Sequence, residues 1–284
     1  MAETQLLQGL VKISNYKALL QSKLFSRLEE FSNNFITQNS EALSAYSRKW
    51  ITDPLHQWSR QWEYPFVFSE IEKYAVVHSG RPIKIFDAGS GITFFPYFLK
   101  QTFDTATLTC CDSDAALPET FRAINEQAGT DIEFLHKDIR STGLGSSSFD
   151  IVYCVSVLEH TKNYDEIIKE FVRILKDSGI LIVTFDVSLD GRSDIPVGEV
   201  RKLLATLENY LSPTDREGIA TLLDDKTLFG SDIVTTLIVS DWNKSLLPWR
   251  YPLASSVLAS LKRRKLPRLG IKNLAFTCHT FEKR

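Results

Sequence analysis

Three aspartates each come at the end of a short apolar run that is rich in strand-forming residues. Asp87 ends the run IKIF, Asp112 ends TLTCC and Asp138 follows IEFLHK. Shortly after the first of them, Gly89 and Gly91 form a Gly-x-Gly turn, in which the backbone can approach a ligand because no Cβ intervenes. A carboxylate beside such a turn repels a phosphate and attracts an ammonium group. The spacing therefore predicts a ligand that carries an amine rather than a diphosphate.

The other two aspartates further restrict the class of ligand that this site could bind. Asp112 is placed to accept hydrogen bonds from both hydroxyls of a ribose, and Asp138 could accept one from the exocyclic amine of adenine. A dinucleotide turn would have a third glycine for close helix packing, where this chain has Phe94. One acid for an amine, one for a ribose and one for adenine indicate S-adenosyl-L-methionine, a nucleoside that carries an amino acid and no phosphate.

Apolar strands and amphipathic helices alternate from residue 83 onward. The pattern predicts strands at 83–88, 107–111, 132–138, 149–158, 180–187 and 273–281. It predicts helices at 93–100, with Pro96 in the first turn, at 115–129, closed by Gly129, and at 163–179, capped by Gly179. Strands that are apolar throughout are typical of a parallel sheet covered by helices on both faces. The predicted class is therefore α/β, with a Rossmann-like, doubly wound sheet.

The regions outside this core divide the chain into predicted parts. Residues 1–68 are expected to form an N-terminal cap, helical over 1–50 and an aromatic loop over 50–68. Residues 69–284 are the expected main domain, within which 188–270 form an insertion that completes the substrate pocket. The segment DIVTTLIVSDW in that insertion is compatible with a strand or a helix.

Residues 80–187 resemble a class I S-adenosylmethionine-dependent methyltransferase of the small-molecule type. The motifs stand in the family's order: FDAGSG, CCDSD, HKDIR, FDIVYCVSVLEH and ILKDSGILIVTF. The resemblance implies a mostly parallel seven-stranded sheet with a final antiparallel hairpin, and S-adenosyl-L-homocysteine as the product. Thr93 stands where the family's first motif often has a third glycine. The cofactor-binding residues implied are Asp87, Gly89, Ser90, Gly91, Asp112, Ser113, Asp138, Ile139 and Cys154.

Two further segments hold candidates for chemistry. His160 has an ordinary pKa suited to removing a proton near neutral pH, and its alternative is a rim histidine bonded to backbone. Glu159 is a candidate catalytic group or a hydrogen-bonding partner at the cofactor's edge. Arg60 could pair with the methionine carboxylate, and Tyr64 or Trp62 could lie near the sulfonium. The alternative for this aromatic segment is a plug that packs the N-terminal helices onto the sheet.

Acceptor-pocket candidates have no distinctive spacing; they are Asp186, Asp190, Asp194 and Trp249. The formal net charge of −2 gives no reason to expect a nucleic-acid or membrane partner. The basic cluster at 262–265 is more typical of a solvated helix end or loop. The four cysteines lack metal-ligand spacing, so no metal is expected, and with no apparent signal peptide they indicate a cytoplasmic protein.

We therefore expect an enzyme that transfers a methyl group from S-adenosyl-L-methionine to an oxygen or nitrogen of a small, fairly apolar metabolite. A natural-product setting and a homodimer through the N-terminal helices are further expectations. The alternative from another class is a non-catalytic, methyltransferase-like scaffold that binds partners through residues 1–50. A nicotinamide dehydrogenase is a third option, which Phe94 disfavours. The sequence leaves open the acceptor, the attacking atom and the oligomeric state.

Overall fold

The structure, a computed structural model, describes residues 6–47, 53–192, 195–247 and 271–283. Its helices are α1 (Ile13–Leu20), α2 (Lys23–Gln38), α3 (Ser40–Ser47), α4 (Arg60–Val77), α5 (Phe95–Thr102), α6 (Leu117–Ala128), α7 (Tyr164–Ile174), α8 (Val197–Tyr210), α9 (Arg216–Leu223), α10 (Asp225–Leu228) and α11 (Thr236–Trp242). Its strands are β1 (Gly9–Leu10), β2 (Lys84–Ala88), β3 (Thr107–Asp112), β4 (Glu133–His136), β5 (Phe149–Val155), β6 (Leu175–Ser188), β7 (Ile195–Pro196), β8 (Leu211–Pro213) and β9 (Leu274–Lys283). Two 3₁₀ turns span Leu158–His160 and Lys244–Leu246.

The described strands form one sheet whose centre has the order β4-β3-β2-β5-β6, with all neighbours parallel. Strand β9 lies antiparallel beside β6, and its other side carries the short strands β1 and β8. From β2 the chain proceeds to β3 and β4 on one side and to β5 and β6 on the other. The order therefore reverses between β2 and β5, where open α/β sheets form a ligand-binding crevice. The predicted α/β Rossmann-like class is confirmed.

Alternate residues of the central strands enter two apolar clusters, one on each face of the sheet. Ile85 and Ile151 belong to the cluster with α1, α2, α4, α5 and α6, whereas Phe86 and Val152 belong to the cluster with α7, α8 and α9. Successive side chains of a strand point to opposite faces, so a strand covered on both faces must be apolar at every position. This requirement explains why the uninterrupted apolar runs of the sequence indicated a buried parallel sheet.

The N-terminal helices pack onto the chain's own body. Phe31 of α2 makes an edge-to-face contact with Phe98 of α5, with ring centroids 5.4 Å apart, and Leu28 is fully buried. The apolar face of these helices is therefore buried in the chain's own core, which removes the basis for predicting a homodimer through them. Strand β1 lies within the predicted N-terminal cap but belongs to the main sheet. Helix α4 continues past residue 68, where the cap was predicted to end. The division of the chain into a cap and a main domain stays a prediction.

The segment 50–68, predicted as an aromatic loop, is helical from residue 60 onward, with Pro65 inside α4. Proline lacks an N–H and crowds the carbonyl of the preceding turn, which costs about 3 kcal/mol in a helix interior. Trp62, Phe66 and Phe68 are buried around this helix, and each such burial contributes about 1.5–3 kcal/mol. The prediction was wrong because the packing of several aromatic side chains outweighs one unfavourable proline.

Two other local predictions were wrong. Gly179 does not cap a helix, because α7 ends at Ile174 and the chain continues directly into β6. The left-handed residue of that turn is Ser178, with φ of 59°, while a Cβ on Gly179 would lie 2.8 Å from the carbonyl oxygen of Lys176. No hairpin precedes β9 among the described residues; β1 and β8 occupy that position instead.

Several other predictions hold. Gly129 closes α6 in the left-handed conformation, and Pro96 lies in the first turn of α5. The ambiguous segment 232–242 contains helix α11, which Thr235 caps. Residues 50–52, Asp194, Trp249 and the basic cluster at 262–265 lie outside the described residues.

Candidate functional site: the carboxyl edge of the central strands

The glycine turn after β2 is fixed from two sides. Its two glycines have positive φ, 76° at Gly89 and 50° at Gly91, a conformation that other residues adopt at a cost. The backbone N–H of Gly89 donates to the carbonyl oxygen of Cys111 at 2.8 Å, which ties the turn to β3. A Cβ on Gly89 would lie 2.5 Å from Cγ2 of Val157, so a glycine is required where the loop after β5 crosses the turn.

Asp87 lies beneath this turn rather than at the surface. Its side chain is buried, and Oδ2 accepts a hydrogen bond from the Tyr153 hydroxyl at 2.8 Å. Burial raises the pKa of Asp87 to about 7, although the Tyr153 hydrogen bond opposes the rise. The carboxyl group therefore changes its charge near neutral pH.

Asp112 organises the loops at the end of β3. Its Oδ2 accepts a hydrogen bond from the N–H of Gly91 at 3.0 Å, and its Oδ1 accepts one from the N–H of Asp114 at 2.9 Å. A carboxylate has about four lone-pair sites, so each oxygen keeps the capacity to accept a further bond from a ligand hydroxyl. Asp112 therefore both shapes the glycine turn and presents acceptors beside it.

A cavity of about 240 Å³ lies between the glycine turn and the loops that follow β3, β4 and β5. Five residues predicted from sequence line it together: Gly89, Asp112, Ser113, Asp138 and Ile139. Sequence reasoning missed its other lining residues, which are Arg140, Val157, Thr161, Lys162 and Ile167. Two of these had a sequence signal, because Arg140 belongs to the HKDIR motif and Val157 to the FDIVYCVSVLEH motif.

Asp138 and Arg140 form an ion pair on the wall of this cavity. The Arg140 Nε donates to Asp138 Oδ1 at 3.0 Å, and its Nη2 donates to the second carboxylate oxygen. This guanidinium holds the pKa of Asp138 below its ordinary value. The acid predicted to meet adenine is therefore ionised, and it shares its oxygens with a neighbouring cation.

The other residues predicted to contact the cofactor do not line the cavity. Ser90 is buried and donates from Oγ to the carbonyl oxygen of Gly91 at 3.0 Å. Cys154 is fully buried in the apolar cluster beneath β5, and burial raises the pKa of its thiol well above the usual value. Tyr64 packs between Phe94 and Phe95, with ring centroids 5.2 and 4.8 Å away.

Arg60 is held by a carboxylate from its own helix. The Nη1 of Arg60 donates one hydrogen bond to Oε2 of Glu63 and one to Oγ of Ser156. The Ser156 hydroxyl in turn donates to Oε1 of Glu63 at 2.8 Å. The Glu63 side chain is fully buried, whereas that of Arg60 is 20% exposed. Sequence reasoning missed Glu63 and Ser156. The pairing of Arg60 with a cofactor carboxylate stays a prediction.

Two aromatic positions decide between the lid and the plug expected for this region. Trp58 makes an edge-to-face contact with Phe276 of β9, with ring centroids 5.1 Å apart, and Trp62 is buried. These tryptophans therefore belong to the plug. Tyr46 of α3, which sequence reasoning missed, covers the turn instead: a Cβ on Gly91 would lie 2.7 Å from its hydroxyl oxygen.

Glu159 and His160 lie in the 3₁₀ turn after β5 but in different environments. His160 is exposed. Glu159 is buried, and its Oε1 accepts a bond from the N–H of Asp186 at 3.4 Å. Burial raises the pKa of Glu159, and the charge of Glu63 raises it further against the opposing attraction of Arg60. Of the two predicted catalytic groups, Glu159 is thus the one that faces the interior.

A second cavity, of about 490 Å³, lies between α6 and the edge strand β4. Phe121, Ile132 and Phe134 form its apolar side. It contains none of the strand-end acids and is separate from the glycine turn. No group of three side chains that could hold a metal ion occurs within the described residues. No helix there has both the length and the apolar character needed to cross a bilayer.

Comparison with known proteins agrees with this geometry. Residues 86–183 match the family model described as a methyltransferase domain. A search of curated proteins finds no match. A similar solved fold is that of a protein assigned as a sarcosine dimethylglycine methyltransferase from Galdieria sulphuraria, with 15% identity, a TM-score of 0.51, and coverage of 78% of this chain and 84% of that chain.

Two other solved structures are similar to the same extent. Geranyl diphosphate C-methyltransferase from Streptomyces coelicolor A3(2), in complex with S-adenosyl-L-homocysteine, has 11% identity, a TM-score of 0.51 and 76% coverage of both chains. The [4+2]-cyclase SpnF has 16% identity, a TM-score of 0.52, and coverage of 82% of this chain and 85% of that chain. These identities show the fold alone, and one fold can support different reactions.

The sheet order, the glycine turn and the strand-end acids define the class I methyltransferase fold. Within it, residues 86–183 match the model of a methyltransferase domain, in agreement with the sequence resemblance. The cofactor that the sequence predicts for this domain is S-adenosyl-L-methionine. The residues present fit it, because Asp112 presents acceptor oxygens into the cavity beside a turn where a Cβ would clash.

Proposed function

We propose that this protein transfers a methyl group from S-adenosyl-L-methionine to an oxygen or nitrogen of a small, fairly apolar metabolite, in specialised metabolism in the cytoplasm. The observation that carries the proposal is the cavity at the reversal of strand order, which Gly89, Asp112 and Asp138 line together. Bound there, the cofactor supplies an electrophilic methyl group on a sulfonium.

The chain's own residues would hold and orient the ligands. Asp112 would accept hydrogen bonds from the ribose hydroxyls, and Asp138 with Ile139 would border adenine. Asp87 lies under the turn, where its ionised form would attract the ammonium group of the methionine portion. Gly89 and Gly91, with Ser90 between them, would let the backbone approach that portion. Ser113 would border the ribose beside Asp112.

The remaining predicted residues would act from the other side of the turn. Arg60 would oppose the methionine carboxylate, with Tyr64 and Cys154 forming apolar walls behind it. An acceptor that begins protonated needs a base, for which Glu159 and His160 are the candidates. Transfer itself then depends on alignment in a pocket that excludes water.

Calorimetric titration with S-adenosyl-L-homocysteine tests the proposal. We expect saturable binding to the wild-type protein and a loss of about tenfold to a hundredfold in Asp112→Ala, because hydrogen bonds to a charged acceptor contribute about 1.5–3 kcal/mol. Asp215→Ala is the matched control, since Asp215 also accepts two backbone N–H bonds at a loop end, from Glu217 and Gly218.

The control variant lies outside the cavity, and we expect its affinity to stay within about twofold of wild type. Equal weakening in both variants would show that loop order, and not ligand contact, is what Asp112 supplies. No binding to the wild-type protein at millimolar S-adenosyl-L-homocysteine would overturn the proposal and favour a non-catalytic scaffold.

A further inference from the structure

Glu159 faces away from the cavity that holds the predicted cofactor residues. Val157 and Thr161, on either side of it in the chain, line that cavity. Glu159, between them on the 3₁₀ turn, reaches the backbone of Asp186 on β6 instead. The segment after β5 thus lines the cavity through Val157 and Thr161, while the side chain of Glu159 turns toward β6 and does not line it. Its carboxylate therefore lies outside the cavity, on the β6 side of the same sheet edge.

The surroundings of Glu159 carry more negative than positive charge. Arg60 and Glu63 already satisfy each other through an ion pair that Ser156 bridges. Glu159 feels the charges of both groups. Within the described residues, however, no cation forms an ion pair with it. One guanidinium therefore stands between two acids.

One oxygen of Glu159 has an unmet hydrogen-bonding capacity. Glu159 is only 7% exposed, and its Oε2 has no hydrogen-bond partner among the described residues. A buried acceptor that loses water without gaining a donor costs about 1–3 kcal/mol, and more when it is charged. Such an atom is explained by a ligand that brings both a donor and a positive charge.

We propose that the methyl acceptor is a small primary or secondary amine, bound as its ammonium ion by the carboxylate of Glu159. The proposal rests on the function proposed above and names its substrate class. An amide or a carboxylic acid would not serve, because neither brings a positive charge to this group. An alcohol would donate a hydrogen bond but leave the excess negative charge in place.

The same carboxylate then prepares the amine for attack. An N–H bond of the ammonium breaks and an O–H bond forms on Glu159, which leaves a lone pair on nitrogen. That lone pair forms the new N–C bond to the methyl carbon as the C–S bond breaks, and the electron pair of that bond stays on sulfur as a neutral thioether. The product nitrogen carries the positive charge, and Glu159 returns its proton to water. The raised pKa of Glu159 suits it to hold that proton.

Binding of matched probes to the protein saturated with S-adenosyl-L-homocysteine tests the proposal without relying on turnover. Phenethylamine, 2-phenylethanol and 3-phenylpropanoate share an apolar body and differ in the end group. We expect the amine to bind at least about tenfold more tightly than the alcohol, and the acid not to bind, because the site's charge discriminates among them. Calorimetry provides the dissociation constants.

Two variants separate the roles. Glu159→Gln removes the charge at nearly constant shape, and we expect it to abolish the preference for amine over alcohol while S-adenosyl-L-homocysteine affinity stays within about twofold. Glu159→Asp keeps the charge and should retain part of the preference, which protects the test if the Gln variant folds poorly. Glu217→Gln removes an exposed carboxylate from α9 and should change neither quantity.

The outcomes distinguish this inference from the function on which it rests. If S-adenosyl-L-homocysteine fails to bind, the proposed function falls and this inference with it. If it binds but the alcohol equals the amine, or neither probe binds, only the amine assignment is overturned. Weakened cofactor-product binding in Glu159→Gln, with the amine preference intact, would also overturn it, since the carboxylate would then serve the cofactor's own amino group.

Discussion

The amino end of β5 begins with Asp150, and the 3₁₀ turn beyond its carboxyl end contains Glu159; both acids are buried. Asp150 lies 2.7 Å from a nitrogen of Arg81 and accepts bonds from Lys176 Nζ and the N–H of Lys84, each at 2.8 Å. These cations hold the pKa of Asp150 below its ordinary value despite the effect of burial. Each acid has one oxygen with no hydrogen-bond partner among the described residues, but the Asp150 oxygen lies in the ion pair with Arg81, whereas Glu159 has no such ion pair there and its pKa is raised.

The difference indicates which end of the sheet is complete within the chain. At the amino end, charge is neutralised by groups from β2, β5 and β6, so Asp150 joins three neighbouring strands. Around Glu159 at the carboxyl end, acids exceed cations. A ligand can supply the positive charge that is missing there. A buried charge without a partner is costly, and a chain retains such a cost where function requires it. We therefore read the amino end as stabilising and the carboxyl end as ligand-binding.

The largest effect should come from removing Arg60, the cation that pairs with buried Glu63 at the carboxyl end. Arg60→Ala leaves the fully buried Glu63 without its ion pair, and we expect a loss of about 3 kcal/mol in the free energy of unfolding. Urea denaturation measures the change, and Arg60→Ala/Glu63→Gln should lose less than the single variant. An equal loss in both would contradict the pairing.

A substitution of Asp150, at the amino end of β5, should lower the stability of the protein but not its affinity for S-adenosyl-L-homocysteine. Asp150→Ala removes the shared partner of Arg81, Lys176 and the Lys84 N–H. Because the two side-chain cations are 43% and 34% exposed and can turn to water, we expect a smaller loss, about 2 kcal/mol. Affinity for S-adenosyl-L-homocysteine should stay within about twofold. Asp165→Ala, an exposed acid paired with Lys169, is the control; a larger affinity loss for Asp150→Ala would undo the division between the two ends.

Asp87 should make cofactor binding depend on pH. Its pKa is raised to about 7 from an ordinary 3.8, so it loses its proton mainly between about pH 6 and pH 8, and the ionised form attracts an ammonium group. We expect affinity for S-adenosyl-L-homocysteine to rise about threefold to tenfold across that range. Asp87→Asn should flatten the profile. A flat profile in the wild-type protein would contradict the proposed role of this acid.

The same shift has a consequence of opposite sign for stability. Above about pH 4 the unfolded chain loses the proton that folded Asp87 retains. The contribution of Asp87 to the free energy of unfolding therefore falls as the pH rises from about 4 to about 7, and it levels off above that range. Comparing urea midpoints of wild type and Asp87→Asn at pH 5 and pH 8 measures it.

We expect the smallest effect at His56, a single cation that lies between two acids. His56 contacts Asp53 at 2.6 Å and Glu29 at 2.9 Å, which ties α2 to the loop before α4. The hydrogen bond to Asp53 is the main cause that raises the pKa of His56 to about 9. The raised pKa means that its contribution is complete below about pH 6.5 and is lost as the pH rises through about 9.

His56→Gln should therefore cost about 0.5–1 kcal/mol at pH 6, a low value because all three side chains are 30–41% exposed. At pH 10 the variant and the wild type should have similar urea midpoints. A cost that persists at pH 10 would mean that packing, and not charge, gives His56 its effect. Gln38→Ala, at the far end of α2, controls for general loosening of that helix.

Local chemistry made much of the fold and part of the site predictable. The apolar runs before Asp87 and Asp112 indicated the strands β2 and β3, since a strand covered on both faces must be apolar at every position. Because parallel strands end at one edge, acids far apart in sequence were expected to meet, and Gly89, Asp112 and Asp138 do line one cavity. Gly89 itself was predictable, because a tight turn with positive φ favours this residue.

Other features depended on contacts that no local pattern reveals. The helix around Pro65 exists because aromatic side chains pack on all its sides. The pairing of Asp87 with Tyr153 joins residues from two strands. Tyr46 reaches the glycine turn from α3, a region that the sequence predicted only to be helical. None of these partners lies within a few residues of the other.

The sequence by itself determined that this chain folds as a parallel, doubly wound sheet and that its acids line the edge where a nucleoside can bind. Those features follow from residue type and short-range spacing. Only the tertiary structure decided which carboxylates are neutralised by cations of the chain and which have no ion-pair partner among the described residues. Partners such as Arg81 for Asp150, or Glu63 and Ser156 for Arg60, come together through folding, and the free energy of a buried charge depends on distances that spacing along the chain does not set.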